Sequence, residues 1–155
     1  MPISNDPSTW PSGDLVWSAA AAIAGAEGAN VAGSVPDRFN NPGDLSKGDE
    51  HGQPVSGYQV LPDGENTIMF ASKQAGWTAL YSKLSNILTG SSSVYSPTMT
   101  WAQIAQIWAG NSQAWVNNVT RVLGVGPNDV FQNFFTGGNP AAVVTLGPRR
   151  KPGHK

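Results

Sequence analysis

The segment from Leu15 to Glu27, Leu-Val-Trp-Ser-Ala-Ala-Ala-Ala-Ile-Ala-Gly-Ala-Glu, is apolar on almost every face of a helix and then ends on a carboxylate. A helix with no polar face must be surrounded by protein. The run therefore predicts a central helix, with alanines that let neighbours approach closely and with Ser12 or Asp14 as its N-cap. Ala19, Ile23 and Glu27 share a face, so the Glu27 carboxyl emerges at the edge of the apolar core. Desolvation and the partial negative charge of a helix C-terminus both disfavour its ionised form. A carboxyl still protonated near neutral pH is what a general acid needs. The competing reading is a solvated carboxylate at an ordinary helix end. Only three Glu residues occur, and Glu50 and Glu65 lie in polar loop contexts.

The rest of the chain organises around this helix. Residues 1–13, with Pro2, Pro7, Pro11 and Gly13, read as a surface arm. Between Gly28 and Gly57 neither helical nor strand period appears, and a loop of that length inside a compact domain is usually functional. Gly57-Tyr58-Gln59-Val60-Leu61 and Thr67-Ile68-Met69-Phe70 predict a hairpin around Pro62–Asn66. Trp77, Leu80, Tyr81, Leu84, Ile87 and Leu88 form one apolar helical face that stops at Gly90. Trp101, Ile104, Ile107 and Trp108 form a second stripe, capped by Thr100 and ended by Gly110. Trp115, Val119, Val122 and Leu123 form a third, and a last amphipathic piece is expected from Asn128 to Phe135. The four Trp residues on these stripes read as core. The expected class is α+β, mostly α: one helical domain over 14–140 with a small β-hairpin lobe, followed by a flexible basic tail over 141–155.

Composition narrows the function classes. Charged residues are 12% of the 155 and the formal net charge is −1, so no global field gathers nucleic acid or an anionic membrane. The tail holds Arg149, Arg150, Lys151 and Lys155, leaving five Lys and Arg against ten Asp and Glu elsewhere. A solvated tail is the plainer reading of that cluster, over attraction to anionic wall polymers or nucleic acid. With no cysteine, disulfides, thiol nucleophiles and Cys-built zinc sites are excluded. No stretch reaches the length of a membrane span, and the first residues lack the basic and apolar regions of a signal peptide, so any export would use another route or a leader that this sequence does not contain. Asp49-Glu50-His51 are adjacent in a loop and point apart, which favours a polar turn over a metal site.

Glu27, then Phe39-Asn40-Asn41-Pro42-Gly43-Asp44-Leu45, a hairpin, Phe70-Ala71-Ser72 leading to Gly76-Trp77-Thr78-Ala79-Leu80, and Thr100-Trp101-Ala102-Gln103-Ile104 before Trp108 and Leu123-Gly124-Val125 together resemble the lysozyme-like superfamily. The closest likeness is to phage-associated and bacterial muramidases or lytic transglycosylases with an Asn-Asn-Pro-Gly segment after the catalytic Glu. The resemblance covers roughly residues 14 to 126. It implies a lysozyme-like fold that cleaves the β-1,4 bond between N-acetylmuramic acid and N-acetylglucosamine in peptidoglycan. Glu27 would be the general acid, and Asn40, Asn41 and Gly43 would border the sugar cleft. It also implies work outside the cell, at the cell wall or with a phage, as a monomer, with no cofactor and no metal.

A second carboxylate separates hydrolysis from the single-acid transglycosylase route. Asp37, Asp44, Asp49 and Asp63 are candidates; Asp44 is preferred because it lies within the matching segment, and Asp37 comes second. Tyr58 and Tyr95 occupy strand or loop positions from which a ring could stack on a sugar. A non-catalytic glycan-binding or phage structural module is the rival class.

Overall fold

A computed structural model describes residues 13–136. Apart from Gly13, the expected arm and the whole of the expected tail lie outside the described residues. The order is α1 (Leu15–Glu27), α2 (Val35–Arg38), β1 (Val55–Val60), β2 (Asn66–Phe70), α3 (Lys73–Leu88), α4 (Trp101–Ala109), α5 (Gln113–Leu123) and α6 (Phe131–Thr136). It is an α+β arrangement, mostly helical, with one two-stranded antiparallel sheet. Among the described residues no helix is long and apolar enough to cross a membrane.

Helix α1 is the hub. Leu15, Trp17, Ala19, Ala20, Ala22, Ile23 and Ala24 are all buried, and α3, α5 and α6 all pack against it. Asp14 is the N-cap: its Oδ1 accepts the Val16 N–H at 3.1 Å, and its Oδ2 accepts the Tyr81 hydroxyl of α3 at 3.0 Å. The helix stops at Gly28, whose φ of 83° lets its N–H turn back to the carbonyls of Ala24 and Gly25. Glu27 is thus fixed as the last helical residue.

The region from Gly28 to Gly57 is not all loop, as the lack of a period suggests. Ser34 caps a single helical turn, α2, with Pro36 near its start, where a missing N–H costs nothing. Strand β1 begins at Val55, two residues before the expected start, and a bulge between Val55 and Gly57 absorbs the irregular register. The segment from Phe39 to Lys47 runs beside β2: Phe70 donates to the Phe39 carbonyl, Ile68 to Leu45, and Lys47 to Asn66. Leu45, Ile68, Phe70, Ala75 and Ala79 close a second, smaller core there.

Helix α3 starts a turn before Trp77 because the Ser72 hydroxyl accepts the Ala75 N–H. Gly76 brings it against the loop; a Cβ there would meet the Asn40 carbonyl oxygen. Thr100 and Gln103 form a capping box on α4, and Gly110 ends it. Helix α6 begins at Phe131, later than its periodicity suggests. The residues before it serve α4 instead, as Trp101 donates to the Asp129 carbonyl and Ala102 to Pro127. Two stripe residues expected in the core face outward: Ile107 is 46% exposed and Val122 64%.

Candidate active site

Glu27 opens onto a cavity of about 600 Å³ between the end of α1, the 44–49 segment, the hairpin turn and helices α3, α4 and α5. Four further carboxylates border it, those of Asp44, Asp49, Asp63 and Glu65, against one cation, Lys83. Tyr95, Trp108 and Trp115 form its aromatic side. A neighbouring space of about 440 Å³ shares Asp49, Lys83 and Tyr95 with it and has Asn86, Ser91, Ser92 and Ser93 on its walls.

The Glu27 carboxyl is partly buried, and its pKa is pushed up from 4.5 to about 8. Burial is the main cause, and the charge of Asp44 adds to it. Two groups pull the other way: the Trp115 indole, whose Nε1–H donates to Glu27 Oε2 at 2.8 Å, and the ammonium of Lys83. At pH 7 the acid is therefore mostly protonated.

Asp44 sits at a φ of 53°, a left-handed conformation that Asp tolerates better than most residues. Its carboxyl is also pushed up, by burial first and then by the charges of Asp63 and Glu65 on the hairpin. Lys83 is held by Asp49, Nζ to Oδ2 at 2.7 Å, and lies 4.1 Å above the Trp108 ring and 5.2 Å from that of Tyr95. Burial raises the Asp49 pKa, but its contacts with His51 and Lys83 together outweigh this and hold it below the usual range. Lys83 and Asp49 thus form a nearly neutral pair, and the remaining acids set the sign of the cavity.

Of the residues singled out in the sequence, Glu27, Asp44 and Tyr95 meet at this cavity, with Tyr95 buried in its wall. Asp49 and Asp63, the other carboxylate candidates, line it as well, whereas Asn40, Asn41, Gly43, Asp37 and Tyr58 do not. Asn41 is fully buried; its Nδ2 donates to the carbonyls of Leu45 and Ile68, and its Oδ1 accepts the Leu45 N–H. Asn40 takes a φ of 54° and donates to the Phe70 carbonyl. Gly43 is buried with its carbonyl accepting the Trp108 Nε1–H, and a Cβ would come 2.8 Å from Leu80 Cδ1. These three residues build the loop that presents Asp44, and the Asn40 and Asn41 side chains serve backbone groups. Asp37, the second choice for a partner acid, accepts from Gly33 N–H and Lys73 and lines a separate cavity of about 400 Å³, together with Asn40. Tyr58 is exposed on β1, donating to Glu50 at 2.7 Å, and does not line the Glu27 cavity.

Sequence reasoning missed Lys83, Glu65 and the second role of Trp108 and Trp115. Periodicity assigns both indoles to the core, and Trp115 is buried there. No local signal shows that their N–H groups face Glu27, 88 residues away in sequence, and Gly43, 65 away. Among the described residues no group of three His, Cys, Asp or Glu is placed to hold a metal ion. No family model, curated protein or solved structure matches the chain.

Proposed function

We propose that the protein is a lysozyme-like glycosidase of the bacterial cell wall, cleaving the β-1,4 bond between N-acetylmuramic acid and N-acetylglucosamine. The observation that carries this reading is a carboxyl with a pKa of about 8, Glu27, in a cavity that also holds a second carboxylate, Asp44. Glu27 gives its proton to the glycosidic oxygen as the C1–O bond breaks. The sugar left behind carries positive charge at C1 and its ring oxygen. Asp44, with the hairpin acids behind it, favours that charge electrostatically. Glu27, now a carboxylate, then takes a proton from the incoming water. Two adjoining spaces of about 600 and 440 Å³ that share Asp49, Lys83 and Tyr95 suit a polymer of sugars better than a compact metabolite. Peptidoglycan as the particular glycan rests on the sequence resemblance.

Asp44 favours hydrolysis over the single-acid route, in which the sugar's own C6 hydroxyl attacks C1 and leaves a 1,6-anhydro ring. Digestion of purified peptidoglycan, with products assigned by mass spectrometry, tests activity and route together. Products that have gained water, lost in Glu27→Gln, are expected. Anhydro products would replace the hydrolase by a transglycosylase. No cleavage by the wild type, with glycan binding retained, would leave a binding module.

A further inference from the structure

The two acids are joined by a continuous chain of contacts through two indoles. Trp115 Nε1–H donates to Glu27 Oε2 at 2.8 Å; the Trp115 and Trp108 rings lie 5.8 Å apart at 34°; and Trp108 Nε1–H donates at 3.0 Å to the carbonyl of Gly43, the residue before Asp44. We propose that Trp108 and Trp115 are positioning residues, an indole bridge that sets how the Glu27 and Asp44 carboxyls stand to one another. The proposal rests on reading those carboxyls as the reacting pair.

Indole N–H is a donor only. Its bond to Oε2 keeps that oxygen an acceptor and leaves Oε1 to carry the transferable proton. At the other end, the bond to Gly43 fastens the loop on which Asp44 takes its left-handed turn. Lys83, 4.1 Å from the Trp108 ring centroid and paired with Asp49, adds a cation–π contact that holds that indole. The charged groups facing Glu27 are Asp44 from the loop and Lys83 from α3, with Asp63 and Glu65 of the hairpin acting on Asp44.

The bridge makes a prediction of opposite signs. Trp115→Phe keeps a ring but loses the bond that favours the carboxylate, so the Glu27 midpoint should rise by about one pH unit. Trp108→Phe frees the Gly43 carbonyl and lets Asp44 move away, so the midpoint should fall, by about half a unit or more. In an Asp44→Asn background it should fall no further. Loosened packing alone would admit water and lower the midpoint in both variants.

Because the chain has three Glu residues, 13C NMR of protein labelled at the Glu carboxyls reads the titration directly, with Glu27→Gln assigning the signal. The alkaline limb of the cleavage rate should follow each midpoint. Shifts of the same sign in both variants, or none, would overturn the bridge. In the unmutated protein the Trp115 indole proton should titrate with the Glu27 midpoint; an indole signal indifferent to that midpoint overturns the bridge even where a variant fails to fold. If the opposite shifts appear but the wild type cuts no glycan, the bridge stands and the glycosidase reading falls. If glycan is cut and neither midpoint moves, the bridge falls alone.

Discussion

Replacing Glu27 by Gln should make the protein more stable in alkaline solution, not less. The native pKa of about 8 lies above the ordinary value of 4.5. Between those two pH values the folded state binds more protons at this site than the unfolded state does. Stability must therefore fall as pH rises from about 4.5 through about 8, and the loss is complete above it. At about 1.4 kcal/mol per pH unit the ceiling is about 5 kcal/mol. Water entry and local rearrangement around the ionised carboxyl reduce this, and about 2 kcal/mol is expected in practice. The substituted amide would not ionise, and its oxygen can still accept the Trp115 N–H. For a domain of this size that difference corresponds to about 4–8 °C in Tm. Thermal melts of both proteins at pH 4 and pH 9 isolate the effect, because every other group titrates in both. The variant should match the wild type at pH 4 and exceed it at pH 9. A gap between the two that is the same at both pH values would refute the raised Glu27 pKa.

Four further outcomes follow from the same geometry. The cleavage rate should fall on the alkaline side as Glu27 ionises, with about nine-tenths of the acid form present at pH 7 and about one-tenth at pH 9, a tenfold loss read from initial rates on cell walls. Asp44→Asn should lower turnover by on the order of 100-fold and move the alkaline limb to lower pH, since the Asp44 charge helps hold the Glu27 proton. Asp37→Asn, at a residue bonded to Gly33 and Lys73 around a different cavity, should leave the rate within about twofold. Gly76→Ala should destabilise by about 3 kcal/mol, measured by denaturant unfolding, because its Cβ would meet the Asn40 carbonyl and come 2.9 Å from Pro42 Cδ.

What the sequence makes legible here is what local periodicity and capping encode. The all-apolar run from Leu15 announces a surrounded helix, and the carboxylate at its end announces a partly buried acid; both are read within a few turns of chain. Asp44 is found as a member of a segment, but the roles of its neighbours are not. Asn40 and Asn41 satisfy carbonyls of β2 and of their own loop, a task that depends on where the hairpin folds back. The expected α6 begins late for the same kind of reason, since the residues before Phe131 take hydrogen bonds from the start of α4. Lys83 looks like one more solvent-facing lysine of an amphipathic helix, yet its side chain is only 12% exposed, because Asp49 and two aromatic rings enclose it. Contacts between elements decide these cases, and single-sequence periodicity carries none of them.

The electrostatics also bear on whether this cavity acts or only binds. A module that merely holds a neutral glycan has no use for an ionisable group at Glu27; a glutamine there would offer the sugar both a donor and an acceptor without the destabilisation above neutral pH. A second carboxylate nearby makes ionisation of Glu27 harder still, and burial raises the pKa of each. Trp115 and Lys83 oppose that rise, so Glu27 is held at about 8 instead of being pushed higher. A group kept close to its midpoint can give a proton and then take one back within a single turnover, which is the behaviour general acid catalysis requires. On the proposed reading, stability is given up for that behaviour at Glu27, the last residue of α1, where the helix ends and the cavity opens.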